Sequence, residues 1–153
     1  MIKSLGAPSI GLLAVIGAGL FIQPAHAGGG AVKCSLATLR GQYLVAASGT
    51  LFPPAFGVSE ASVSEAAGYS LYNGDGTGSD YVTFTINGVN ANVASPTPTS
   101  YTLNADCTGT KTVLPDGPHF NIYVAFDGSG LAAIATDTGF AVSESDKRVR
   151  SDQ

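Results

Sequence analysis

Residues 100–139 read SYTLNADCTGTKTVLPDGPHFNIYVAFDGSGLAAIATDTG, a stretch in which short strand-like runs alternate with tight-turn signals. Tyr101 and Leu103 alternate with Thr102 and Asn104 before Asp106-Cys107-Thr108-Gly109 turns the chain. Residues 110–114 run back, and Pro115-Asp116-Gly117-Pro118 turns the chain again. Over residues 119–126, Phe120, Ile122, Val124 and Phe126 fall on one face while His119, Asn121, Tyr123 and Ala125 fall on the other. That period of two belongs to a sheet with one apolar and one polar side. Asp127-Gly128-Ser129-Gly130 closes this run and residues 131–136 return, so the stretch reads as an antiparallel meander.

The pattern extends in both directions. Upstream, Tyr43, Val45 and Ala47 share one face of a run that starts near Gly41. Val82, Phe84 and Ile86 alternate with Tyr81, Thr83 and Thr85 in another. Runs beginning near Gly41, Ala66, Asp80, Ser100, Thr110, His119, Leu131 and Phe140 make about eight strands joined in order by turns. Scarce charge with abundant Gly, Ser, Thr and Ala suits strands and turns better than helices. The expectation is an all-β fold, a single antiparallel up-and-down barrel. Closure is favoured over a two-sheet sandwich because no run is blunted by charge or proline as an exposed edge would be.

The N-terminus carries a different signal. Lys3 precedes the uncharged apolar run of residues 10–22, and Pro24-Ala25-His26-Ala27 places small residues at Ala25 and Ala27. This is the pattern of a secretory signal peptide cut after Ala27, with an apolar core too short for a comfortable membrane span. The expected product is periplasmic or extracellular, without stable membrane insertion. Cleavage would remove one of seven basic residues and none of the eleven acidic ones, moving the formal charge from -4 to -5. His119 would be its only histidine. The expected organisation is a signal peptide over residues 1–27, a leader over 28–40 tied by Cys34, a barrel over 41–143 and a polar tail over 144–153. Lys147, Arg148 and Arg150 sit in that tail among acidic residues, so no basic stripe speaks for nucleic-acid binding.

In an oxidising compartment, Cys34 and Cys107 are expected to form a disulfide. Two isolated cysteines with no histidine beside them do not make a metal site. Asn73-Gly74-Asp75-Gly76-Thr77-Gly78 has the opening spacing of a calcium loop, but Phe84 stands where the bidentate glutamate belongs, so a hairpin turn is expected there. No phosphate loop, dinucleotide fingerprint or nucleophile elbow is present, and no cofactor is expected.

Four segments carry a family resemblance: Cys34-Ser35-Leu36-Ala37-Thr38-Leu39-Arg40-Gly41-Gln42-Tyr43, Asn87-Gly88, Tyr101-Thr102-Leu103-Asn104-Ala105-Asp106-Cys107-Thr108-Gly109-Thr110, and Thr136-Asp137. With them the chain resembles a group of exported bacterial proteins of unknown function, similar in turn to the allene oxide cyclase-like, calycin-type barrels. The resemblance implies a small barrel with an apolar cavity, self-association into trimers, and, in some relatives, cofactor-free enzymology on apolar or aromatic molecules. It transfers no catalytic set to positions in this chain.

Three functions from different classes follow. The first is a barrel that binds a small apolar or aromatic molecule in its interior, with Tyr43, Phe52, Phe56, Tyr81, Tyr101 and Tyr123 as candidate contacts. The second is a cofactor-independent isomerase or cyclase acting on such a molecule, with His119, Tyr123, Asp137 and Glu144 as candidate acid/base groups. The third is a structural or self-associating surface protein that uses the apolar, proline-broken run LFPPAFGV at residues 51–58 as its contact.

Overall fold

The computed structural model describes residues 33–150, and the expected signal peptide lies outside the described residues. The strands are β1 (Arg40–Leu51), β2 (Ser62–Asn73), β3 (Thr77–Ile86), β4 (Val89–Asn90), β5 (Thr97–Leu103), β6 (Thr108–Val113), β7 (His119–Val124), β8 (Gly130–Ala135) and β9 (Phe140–Arg148). They form a 9-stranded sheet in the order β2-β1-β9-β8-β7-β6-β5-β3-β4, and β2 also pairs with β3. That additional ladder, Ser64 to Tyr72 against Ile86 to Gly78, joins the two ends. Eight strands therefore close into an up-and-down antiparallel barrel, and β4 lies outside the ring as a short strap on β3.

Alternation in the sequence becomes inside and outside in the wall. Phe120, Ile122 and Val124 are buried on β7, while His119, Asn121 and Tyr123 face solvent. The apolar phase stops with the ladder. Phe126, expected on the buried face, follows the end of the strand and is 62% exposed.

The last strand also differs from expectation. It runs to Arg148, so the wall continues past residue 143, and the supposed tail turns Glu144 and Asp146 inward between outward Ser143, Ser145 and Lys147. Ladders to β1 and β8 on both sides hold it in place. In the turn between β2 and β3, Thr77 donates its N–H and hydroxyl to Asp75 Oδ1 and accepts from Asn73 Nδ2. The calcium-like spacing is a hairpin turn that satisfies its own polar groups.

Coiling the sheet this tightly needs glycine where two backbones converge. A Cβ on Gly49 would run into the Ala141 carbonyl oxygen of β9, and one on Gly68 into the Tyr81 carbonyl oxygen of β3.

The chain before β1 closes one end of the barrel. A single 3-10 turn, Leu36–Thr38, lies across it, tied by the Cys34–Cys107 disulfide and by the Cys34 N–H donating to the Ala105 carbonyl at 3.1 Å. Tyr43, Tyr72 and Tyr101 pack edge to face beneath it, with ring centroids 5.2 and 5.4 Å apart. Their hydroxyls are satisfied, as buried phenols require. Tyr43 donates to the Gly128 carbonyl at 2.7 Å, and the Tyr101 hydroxyl lies 3.0 and 2.9 Å from the Leu36 and Leu39 carbonyl oxygens.

Candidate functional site

The opposite end of the barrel is hollow. A cavity of about 370 Å³ opens there, where the connections after β1 and β3 and the turn between β6 and β7 meet. Small side chains make the room, with Ala47 of β1 and Ala66 of β2 at inward positions, and Val82, Phe84, Phe120 and Val142 supply apolar wall. The wall is also least complete here. Strand β3 pairs with β5 only from Thr77 to Asp80; beyond that its edge is met by β4 and by the Ala91 N–H, which donates to the Phe84 carbonyl.

Phe56 stands at the mouth. Its ring packs 5.2 Å from Phe84 and 5.5 Å from Phe140, yet half of the residue remains exposed. The two prolines ahead of it break the strand, and Phe56 takes φ 47, a left-handed backbone that costs a non-glycine residue about 1 kcal/mol or more. That strained turn aims the ring over the opening instead of out into solvent.

A buried polar layer forms the floor, between the cavity and the tyrosines of the closed end. Lys111 of β6 is completely buried, with Nζ 2.8 Å from Glu144 Oε1 of β9 and 3.0 Å from Asp80 Oδ2 of β3. Nζ also lies over the Tyr72 and Phe120 rings, 5.9 and 6.0 Å from their centroids. Burial opposes the ammonium, but Glu144, and behind it Tyr72, Asp80 and Asp146, outweigh burial and hold the lysine well above its ordinary pKa. Ser70 donates to Asp80 Oδ1 at 2.6 Å.

Asp146 lies one step deeper, accepting from the Tyr72 hydroxyl at 2.9 Å through Oδ2. Its other oxygen is buried without a partner among the described residues. Burial, reinforced by the nearby Glu144 charge, pushes its pKa up to about 8. A neutral carboxyl tolerates such a position far better than a carboxylate does.

The candidate residues separate into distinct places. Phe56 and Glu144 line the cavity. Tyr43 and Tyr101 belong to the packed closed end, and Phe52 is 46% exposed at the rim. Tyr81 is on the outer face, stacked on Tyr69 with centroids 4.6 Å apart, and Tyr123 is also outside and 55% exposed. His119 and Asp137 do meet, on the outside: Asp137 Oδ1 lies 2.9 Å from His119 Nδ1 and Oδ2 accepts the His119 N–H. That pair joins the start of β7 to the turn after β8, with the imidazole 59% exposed. The four acid/base candidates thus do not share one site.

Lys111, Asp80 and Asp146 were not among the candidates. One signal marks them: each sits at the inward phase of its strand, Lys111 with Val113, Asp80 with Val82, and Asp146 with Val142. A charge in an apolar phase is a charge turned inward. Among the described residues, no group of three or more His, Cys, Asp or Glu is arranged to hold a metal ion. The chain matches no protein-family model, no curated protein and no solved structure.

Proposed function

We propose that this barrel binds a small apolar or aromatic molecule inside its open end. One observation carries the reading: a cavity of about 370 Å³, of the size that holds a small ligand and walled by apolar side chains, above a few convergent polar groups. The same strands pack solidly at the other end, so the hollow does not follow from closing eight strands. It comes from Ala47 and Ala66 at positions where larger side chains would fill the space. The resemblance to allene oxide cyclase-like barrels supports the same reading. The disulfide between Cys34 and Cys107 supports export to an oxidising compartment, where such a carrier would meet its ligand.

The test is titration of the chain with the neutral fluorophore N-phenyl-1-naphthylamine. Saturable enhancement at one molecule per chain is expected, together with its loss in Ala66→Phe, which fills the cavity. If enhancement is absent, or persists unchanged in Ala66→Phe while circular dichroism shows that variant folded, the reading fails. Native mass spectrometry of chain purified from its own host would then identify the bound molecule directly.

A further inference from the structure

The cavity is apolar along its walls but acidic wherever it is charged. The charged side chains that line it are Asp80 and Glu144 at the floor and Asp116 at the mouth, with no lysine, arginine or histidine among them. Lys111, the cation beneath the floor, is wholly buried and directs its ammonium to Asp80 and Glu144, so it offers the cavity no donor. Two carboxylates around one ammonium leave that trio with a formal excess of negative charge.

Glu144 keeps one carboxylate oxygen at the cavity free of donors among the described residues, as Asp146 does deeper in the core. The Glu144 side chain is only 8% exposed, and Lys111 engages Oε1. Oε2 accepts no hydrogen bond from the described residues, and the residue lines the cavity. A molecule that displaces water from that oxygen must itself bring a donor, or leave the acceptor unpaired at a cost.

We infer that the molecule held in this cavity carries a protonated amine on an apolar body, and that the amine seats on Glu144 Oε2 beside Asp80. Such a head supplies the donor that the floor lacks and balances the trio's charge, while the body replaces water along the walls. The same geometry disfavours a fatty acid, since its carboxylate would meet two others while the nearby Lys111 is buried and already engaged by both. This inference rests on the binding reading above and narrows it to lipophilic amines.

Displacement of N-phenyl-1-naphthylamine by three probes of equal chain length, 1-aminooctane, 1-octanol and octanoate, tests it at neutral pH and roughly 0.15 M salt, where attraction by the net surface charge is screened. The amine is expected to displace the fluorophore at about tenfold lower concentration than octanoate, the scale of one hydrogen bond to a charged group, with octanol between. In Glu144→Gln the amine should lose its advantage over octanol, both probes being compared on the same variant. Octanoate competing as well as the amine would overturn the inference, as would an amine advantage that survives in folded Glu144→Gln. Should that variant not fold, the ranking on the unaltered chain decides alone. Failure of the fluorophore itself to bind would instead sink the binding reading.

Discussion

Lys111 Nζ lies 2.8 Å from Glu144 Oε1, although β6 and β9 are separated in the wall by β7 and β8. The contact therefore crosses the barrel interior, and with Asp80 it links three strands that share no ladder with one another. This buried bridge divides the interior into a packed end and a hollow one. Its worth lies less in net stability than in the penalty for breaking it, because charges taken out of bulk water depend on one another for compensation.

Replacing Lys111 by methionine keeps most of the volume and strands two buried carboxylates. Urea unfolding should show a loss of about 3–5 kcal/mol. Adding Asp80→Asn and Glu144→Gln to Lys111→Met should recover most of that loss. A single variant as stable as the parent would show that the trio is not held together by charge.

Asp146 makes stability depend on pH in a defined direction. The unfolded carboxyl titrates near its ordinary value of about 3.9. The folded group, with its pKa pushed up by burial to about 8, keeps a proton that the unfolded chain has released in between. The folded state thus binds more protons across that window, and this group's contribution falls as pH rises from about 4 to about 8, by at most about 1.4 kcal/mol per pH unit. Asp146→Asn should match the parent near pH 4 and exceed it increasingly towards pH 8 in thermal unfolding. A difference independent of pH would contradict the assignment.

Reducing the Cys34–Cys107 disulfide should cost roughly 4 kcal/mol on chain-entropy grounds, since it spans a sequence separation of 73. Amide exchange should accelerate first at Cys34 and Leu39, which donate to the Ala105 and Leu36 carbonyls across the closed end. Amides in the β8–β9 ladder should stay protected for longer. Uniform acceleration would mean that the N-terminal turn is no separate unit.

Phe56 covers the cavity from a strained turn, so truncating it should affect exchange of ligand more than stability. In Phe56→Ala, fluorophore dissociation should quicken severalfold with a stability change near 1 kcal/mol, because the ring is already half exposed. Subunit mass by light scattering should not change. A drop in subunit number would assign residues 51–58 to self-association instead of the mouth.

The sequence by itself determined the fold class and most of the strand order. Strict alternation in runs such as 119–124, punctuated by Asp-Gly and Asn-Gly turns, leaves a chain little choice but consecutive antiparallel hairpins. It did not decide which face of each strand lines the barrel: Tyr81 and Tyr123, offered as interior contacts, stand on the outer face. It misled at the C-terminus, where charged Glu144 and Asp146 resemble a solvated tail when read one residue at a time. What only the tertiary structure decided is the level at which inward residues from distant strands meet. That depends on the tilt and stagger with which the sheet closes, a property of the whole ring and of no single strand. Stagger brings Lys111 between Asp80 and Glu144, packs Tyr43, Tyr72 and Tyr101 at one end, and leaves Ala47 and Ala66 bordering open space at the other. On the outside the closed sheet brings His119 to Asp137, a pairing that the alternation of β7, which turned His119 outward, did not reveal.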